Sequence, residues 1–217
     1  MFLHGWGSSK DAFSFVDSLK GFTITRVDLY GFGSSPHPMV PVDLDYYVDG
    51  VKELMANYSM ENVIVIGHSF GGRIAIKLAQ SSRVAGVVLV DSAGLRPKRG
   101  LKYYYKVLVY KIAKIFGKNN NYGSQDYRAC VGAMRGTFVK VVNEDLKKYA
   151  KRIPCPTLLI WGEKDTDTPL YMYRKFLKII PNAKGVILKG VGHFSFAFRP
   201  DEFCTLVKQF AINTLLE

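Results

Sequence analysis

Apolar positions along this 217-residue chain fall into two kinds of run that alternate. Short runs rich in Val, Ile and Leu predict strands near Phe2–His4, Thr23–Leu29, Val63–Gly67, Ala85–Asp91, Thr157–Trp161 and Lys184–Leu188. Between them, apolar residues at three- and four-residue spacing predict helices near Ser9–Leu19, Asp43–Tyr58, Gly71–Gln80, Leu170–Ile180 and Asp201–Leu215. Pro181 and Asn182 stop the fourth of these helices, and Pro154 and Pro156 open the strand at Thr157. Strands that are apolar throughout must be covered on both faces, and strands separated by helices run parallel. The expected class is α/β, a mostly parallel sheet sandwiched by helices.

Residues 95–153 break the alternation. The segment is too long for an ordinary loop, so it should carry helices of its own. Leu101, Tyr104, Tyr105, Leu108, Ile112, Ile115 and Phe116 share one helical face, with Lys102, Lys106 and Lys114 on the other. Gly117 to Gly123 contains three consecutive asparagines and reads as a turn. Ser124 and Asn143 are expected N-caps of two further helices. The organisation expected is a core of residues 1–94 and 154–217 with a helical lid inserted at 95–153.

A 48% hydrophobic fraction and a mean hydropathy near zero describe a globular chain of one domain. No apolar run approaches the ~18 residues of a membrane span, and no basic-then-apolar leader opens the chain. Cys130, Cys155 and Cys204 are odd in number and lack CxxC spacing. Reduced thiols in a cytoplasmic protein are the expectation. The net charge of +12 is concentrated between Arg96 and Arg152, which hold 15 Lys/Arg against 3 Asp/Glu. A solvated cationic surface is the simplest reading of that segment. Attraction of an anionic substrate, or of an acyl ester at an anionic membrane interface, is the alternative. No nucleic-acid module accompanies the charge, so a nucleic-acid partner is not expected.

The most informative stretch is Asn62 to Ser82, NVIVIGHSFGGRIAIKLAQSS. An apolar run enters Gly67-His68-Ser69-Phe70-Gly71 and a helical pattern leaves it. Strand, G-x-S-x-G, helix is the arrangement in which a sharp turn presents a serine hydroxyl. The amide of Phe70 then sits at a helix N-terminus, aimed at any oxyanion that forms. Four scattered histidines without a Cys/His cluster give no metal site. Gly5-Trp6-Gly7 and Gly31-Phe32-Gly33 lack the rest of a dinucleotide fingerprint, and no phosphate-binding GxxxxGK[ST] occurs. No cofactor is expected.

Taken together, the motifs resemble the alpha/beta hydrolase superfamily over nearly the whole chain. His4-Gly5-Trp6-Gly7 looks like the family's HGxG oxyanion loop, which implies Trp6 as a second amide donor beside Phe70. Asp28 to Ser35 resembles the D-x-x-G-x-G-x-S segment that shapes one pocket wall. Trp161-Gly162-Glu163-Lys164-Asp165 matches the family's acid position at Asp165, and Gly190-Val191-Gly192-His193 matches its histidine. The order Ser69, Asp165, His193 is the family's own. The resemblance implies a serine hydrolase that cleaves a small or medium carboxylic ester, or a thioester, through an acyl-serine intermediate. A non-catalytic ligand sensor on the same scaffold, a carbon–carbon bond hydrolase and a perhydrolase are the alternatives. A nucleophilic Asp would have indicated a dehalogenase or epoxide hydrolase; Ser69 argues against both.

For the acid, Asp167 and Asp91 are the alternatives to Asp165, and Glu163 reads as a solvated turn residue. His4 and His68 read as structural hydrogen-bonders, and His37, between two prolines, as a surface loop residue. Family members carry one or two strands ahead of the HGxG strand, which here begins at Phe2. The resemblance therefore implies a late start within the fold or a short version of it. Thr23–Leu29 would then form an edge with unpaired backbone groups.

Overall fold

Strand β3 (Val63–His68) and strand β4 (Val84–Val90) form the centre of the sheet, and their apolar runs are buried from both sides. Around them pair β1 (Phe2–Leu3), β2 (Arg26–Val27), β5 (Thr157–Gly162) and β6 (Ala183–Leu188) in the order β2-β1-β3-β4-β5-β6. Every pairing is parallel. The structure, a computed structural model, describes residues 1–96 and 125–216. The helical face expected at Leu101–Phe116, the turn at 117–123 and the cap at Ser124 lie outside the described residues.

Alternation along the central strands divides the core into two layers, because successive side chains point to opposite faces. Val65, Val87, Leu89, Leu159 and Trp161 face helices α1 (Leu44–Asn57), α2 (Phe70–Leu78) and α6 (Leu170–Ile179). Ile64, Ile66, Val88, Val90, Leu158 and Ile160 face Phe203, Val207 and Ala211 of helix α8 (Pro200–Leu216), together with Phe13 and Val16. The fully buried Trp161 fills the first layer, and its truncation to alanine would cost about 3–5 kcal/mol.

Helix α1 starts where the sequence places it, with the Asp43 carboxylate accepting from the amide of Tyr46 at 3.1 Å. The expected first helix is instead a 3₁₀ segment, Lys10–Ser18, broken at Phe13 by a non-helical backbone. The expected strand Thr23–Leu29 shrinks to two paired residues. Asp28 ends it by capturing the amides of Lys10 (2.7 Å) and Ser34 (3.1 Å), which turns the chain out of the sheet. As expected, β2 is an outer strand of this sheet.

Between β4 and β5 the described residues include three helices, α3 (Gln125–Ala129), α4 (Ala133–Asn143) and α5 (Lys147–Ala150). Asn143 is not an N-cap. It is the last residue of α4, and its side chain donates to Val139 O at 2.8 Å. The start of α5 is held instead by Asp145, whose carboxylate accepts from Lys147 N at 3.0 Å. Helix α2 anchors this segment through two nearly buried cations. Arg73 donates to the main-chain oxygens of Glu144 (2.9 Å) and Val142 (3.3 Å). Lys77 pairs with Glu144 (2.8 Å) and with Asp45 of α1 (2.6 Å).

From β1 the chain builds outward to β2 on one side, then returns to build β3 to β6 on the other. Loops leaving the C-terminal ends of β1 and β3 therefore diverge, and the crevice of an open α/β sheet lies at such a reversal.

Candidate active site

Ser69 occupies the turn between β3 and α2 with φ 48° and ψ −105°. A non-glycine residue at such a φ is strained by about 1–3 kcal/mol and persists only where its surroundings dictate it. Here the Ser69 amide donates to Val90 O at 3.0 Å, while its carbonyl accepts from Gly72 N and Ala93 N, each at 3.1 Å. A methyl group on Gly67 would collide with the main chain of Gly71, and one on Gly71 with the carbonyl of Leu3. Both glycines of the G-x-S-x-G pattern are thus fixed by close backbone approach.

Two further loops bring their residues to Ser69. His193 follows β6, and its Nε2 lies 3.0 Å from Ser69 Oγ. Its Nδ1 lies 2.9 Å from Oδ2 of Asp165, which follows β5 and whose side chain is closed to solvent. Asp165 is itself held on both oxygens: Oδ1 accepts from the amides of Asp167 (2.8 Å) and Thr168 (2.9 Å), and Oδ2 accepts from the Thr168 hydroxyl at 2.6 Å. An ionised carboxylate only accepts, so Nδ1 carries the proton and Nε2 is free to accept from the serine hydroxyl. Burial alone would raise the Asp165 pKa, but the bonds from His193 and Thr168 outweigh it and hold the carboxyl below its ordinary range. Burial pulls the His193 imidazole down, yet the facing Asp165 carboxylate prevails and raises it.

The other acidic residues are placed differently. Asp91 is completely buried at the end of β4 and bonds to Gly162 and Ser195, not to His193. Asp167 gives its amide to Asp165, and its charge reaches His193 only through space. Glu163 is exposed but not merely solvated, because its Oε2 accepts from Gly190 N at 2.9 Å and braces the start of the His193 loop.

The remaining histidines have separate tasks. His4 Nε2 accepts from Leu29 N at 3.1 Å, so its Nδ1 carries the proton and donates to Gly5 O at 2.7 Å. That neutral, fully buried ring ties the HGxG loop to the segment after β2. His68 donates from Nε2 to the main-chain oxygen of His193 at 2.8 Å, and burial pushes its pKa down to about 3. His37 is exposed.

Trp6 packs edge-on against Phe32 (4.9 Å), Phe70 (5.2 Å) and Phe138 (5.1 Å), so an aromatic wall joins the HGxG loop to helix α4. Among the described residues, the amides of Trp6 and Phe70 donate to no protein group. A cavity of about 130 Å³ is lined by Trp6, Gly31, Phe32, Asp126, Cys130 and Met134, and Trp6 is the candidate residue that reaches it. A larger cavity of about 410 Å³, lined by Met1, Phe22, Ile24, Asn62 and Val207, contains none of the candidate residues. Among the described residues, no group of three His, Cys, Asp or Glu side chains could hold a metal ion.

The sequence reading singled out neither Thr168 nor Ser195. The spacing Asp165-x-x-Thr168 carried a signal, since a carboxylate often caps the amide three residues on. Ser195 gave none, because its partner Asp91 is 104 residues away.

Known proteins share this arrangement of elements. A family model described as the alpha/beta hydrolase family matches residues 1–206. The AB hydrolase superfamily protein YisY of Bacillus subtilis is 26% identical over 97% of this chain and 90% of its own length. A pimeloyl-[acyl-carrier protein] methyl ester esterase of Photorhabdus laumondii is 26% identical over 99% of this chain and 92% of its own. Among solved structures, an esterase from Exiguobacterium antarcticum superposes with a TM-score of 0.78 at 20% identity, covering 97% of this chain and 90% of that one. With a parallel sheet, a strained serine turn and a family match spanning nearly its whole length, the chain belongs to the alpha/beta hydrolase family.

Proposed function

We propose that the chain is a serine hydrolase that cleaves small or medium carboxylic esters, or related thioesters, through an acyl-Ser69 intermediate. The observation that carries this reading is the pair of contacts on one imidazole, 3.0 Å to Ser69 Oγ and 2.9 Å to Asp165 Oδ2. A serine hydroxyl is a weak nucleophile at neutral pH. His193 accepts its proton as Ser69 attacks the ester carbonyl, and returns that proton to the departing alcohol or thiol. Asp165 holds the tautomer this requires and stabilises the imidazolium. The unpartnered amides of Trp6 and Phe70 take the oxyanion, each worth about 3 kcal/mol of transition-state stabilisation. Water then attacks the acyl carbonyl with His193 again as base, which frees the acid and restores Ser69.

The aromatic wall and the small cavity beside Trp6 support a compact, mainly apolar acyl group. We assign residues 95–153 the role of a lid over that cavity, supported by Cys130 and Met134 in its lining. The three thiols are unpaired, in keeping with a reducing cytoplasm. Ester-cleaving relatives such as the Photorhabdus esterase support the bond type.

The test is the Ser69→Ala variant with p-nitrophenyl butyrate and a fluorophosphonate probe. Turnover should fall by about 10⁴-fold or more, and labelling should vanish, with an unchanged melting curve. Persistent turnover in that variant would refute the mechanism. A wild-type protein that neither hydrolyses esters nor labels would leave a ligand-binding scaffold instead.

A further inference from the structure

Asp91 ends β4 with φ 44°, and none of its surface reaches solvent. Oδ1 accepts from the amide of Gly162 at 2.7 Å. Oδ2 accepts from the amide of Ser195 at 3.2 Å and from the Ser195 hydroxyl. Its main-chain oxygen lies 3.0 Å from Thr168 Oγ1. Gly162 precedes Asp165 by three residues, Ser195 follows His193 by two, and Thr168 bonds the Asp165 carboxylate directly. One side chain thus touches the roots of the loops that carry the acid and the base.

The arrangement is costly. Among the described residues, the direct partners of the Asp91 carboxylate are neutral donors and no cation pairs with it. Burying a carboxylate without a counter-charge is unfavourable, and well-packed apolar residues of similar volume would be cheaper. Burial drives the Asp91 carboxyl up to about 7 despite the bonds from Ser195 and Gly162. The charged or titratable groups acting on it are Asp165 on one loop and His193 on the other.

We propose that Asp91 is a positioning residue, whose carboxylate clamps Gly162 and Ser195 to the end of β4 and so fixes the Asp165 and His193 loops relative to each other. This inference rests on the reading of Ser69, His193 and Asp165 as the working set. An asparagine at position 91 keeps the shape and an acceptor toward Gly162. It turns an N–H₂ toward the Ser195 amide, however, so the bond from that amide is lost and only the Ser195 hydroxyl, turned to accept, still ties position 91 to the His193 loop.

The experiment compares wild type, Asp91→Asn and Ser195→Ala by steady-state kinetics on p-nitrophenyl butyrate from pH 5 to 9. In parallel, the His193 imidazole is titrated by NMR. In Asp91→Asn, kcat should fall by about 10- to 100-fold, the cost of loosening reacting groups by a fraction of an ångström to an ångström. KM should stay within about twofold. The His193 midpoint should drop, because the Asp91 carboxylate raises it. Ser195→Ala keeps the amide bond and should lose less. A folded Asp91→Asn with wild-type kcat and an unmoved His193 midpoint overturns the proposal. If that variant does not fold, Ser195→Ala decides alone: a fall in kcat of about threefold or more supports the clamp, and wild-type kinetics reject it. The NMR titration needs no turnover, so a failure of the hydrolase reading is told apart from a failure of this one.

Discussion

The ring of His68 reaches across from the last residue of β3 and donates from Nε2 to the main-chain oxygen of His193 at 2.8 Å. The strand that delivers Ser69 therefore also grips the loop that delivers its partner. The two imidazoles lie 4.9 Å apart, but only His193 faces Ser69. With its pKa pushed down to about 3 by burial, His68 stays neutral across the working range and donates one fixed bond.

Replacing that donor separates its geometry from its charge. His68→Phe leaves the His193 carbonyl without its partner, and kcat should fall about tenfold with little change in KM. His68→Gln retains an N–H donor and should recover most of the loss. Equal kinetics for the phenylalanine and glutamine variants would show that the bond is irrelevant.

The choice of acid is tested by a matched pair of variants. Asp165→Asn removes the charge behind Nδ1 and permits the wrong tautomer, so kcat should drop by about 10⁴-fold. Asp167→Asn leaves the amide bond to Asp165 intact and should cost less than about tenfold. Comparable losses in the two would move the acid assignment.

The raised pKa of His193 sets the pH dependence. In the proposed mechanism neutral imidazole is the base, so kcat/KM should fall as pH drops through a midpoint above the ordinary 6.5, and Asp165→Asn should move that midpoint down. The stability signs follow from the same shifts. The His193 contribution is fully present below its unfolded pKa and is lost as pH rises through the raised folded value. The Asp165 contribution is present above its unfolded value of 3.8 and fades as pH falls through the lowered one. Melting curves of His193→Gln against wild type should therefore diverge most below about pH 6.

Lys77 offers a test of how the segment after β4 is held. Its side chain is almost closed to solvent, while Glu144 is 29% and Asp45 63% exposed. Lys77→Met should destabilise by about 1–3 kcal/mol, between the values for exposed and buried pairs. That corresponds to a melting point lower by about 3–10 °C. Lys52→Ala breaks the exposed pair with Asp49 and should change stability by less than about 0.5 kcal/mol.

Local pattern made the scaffold legible. The apolar runs at Val63, Ala85 and Thr157 announced buried parallel strands, and G-x-S-x-G announced a turn whose glycines are indeed fixed by contact with Leu3 and Gly71. Errors arose where a side chain overrides propensity. Asp28 cuts β2 short by binding two amides, and Asp145, just ahead of the cap residue Leu146, rather than Asn143, bonds the first amide of α5. The short helix α7 (Ser195–Phe198) escaped notice because it is a single turn with no periodicity to detect. The supporting partners were hidden for a different reason. His68 and His193 are 125 residues apart, and Asp91 and Ser195 are 104 apart, so no window along the chain contains both members of either pair.

The backbone at Ser69 has one more implication. A left-handed torsion suits glycine, so the serine side chain stands there against the preference of the main chain. A Ser69→Gly protein should accordingly outlast the native one on heating while catalysing nothing. In this molecule, durability and reactivity pull in opposite directions at a single residue.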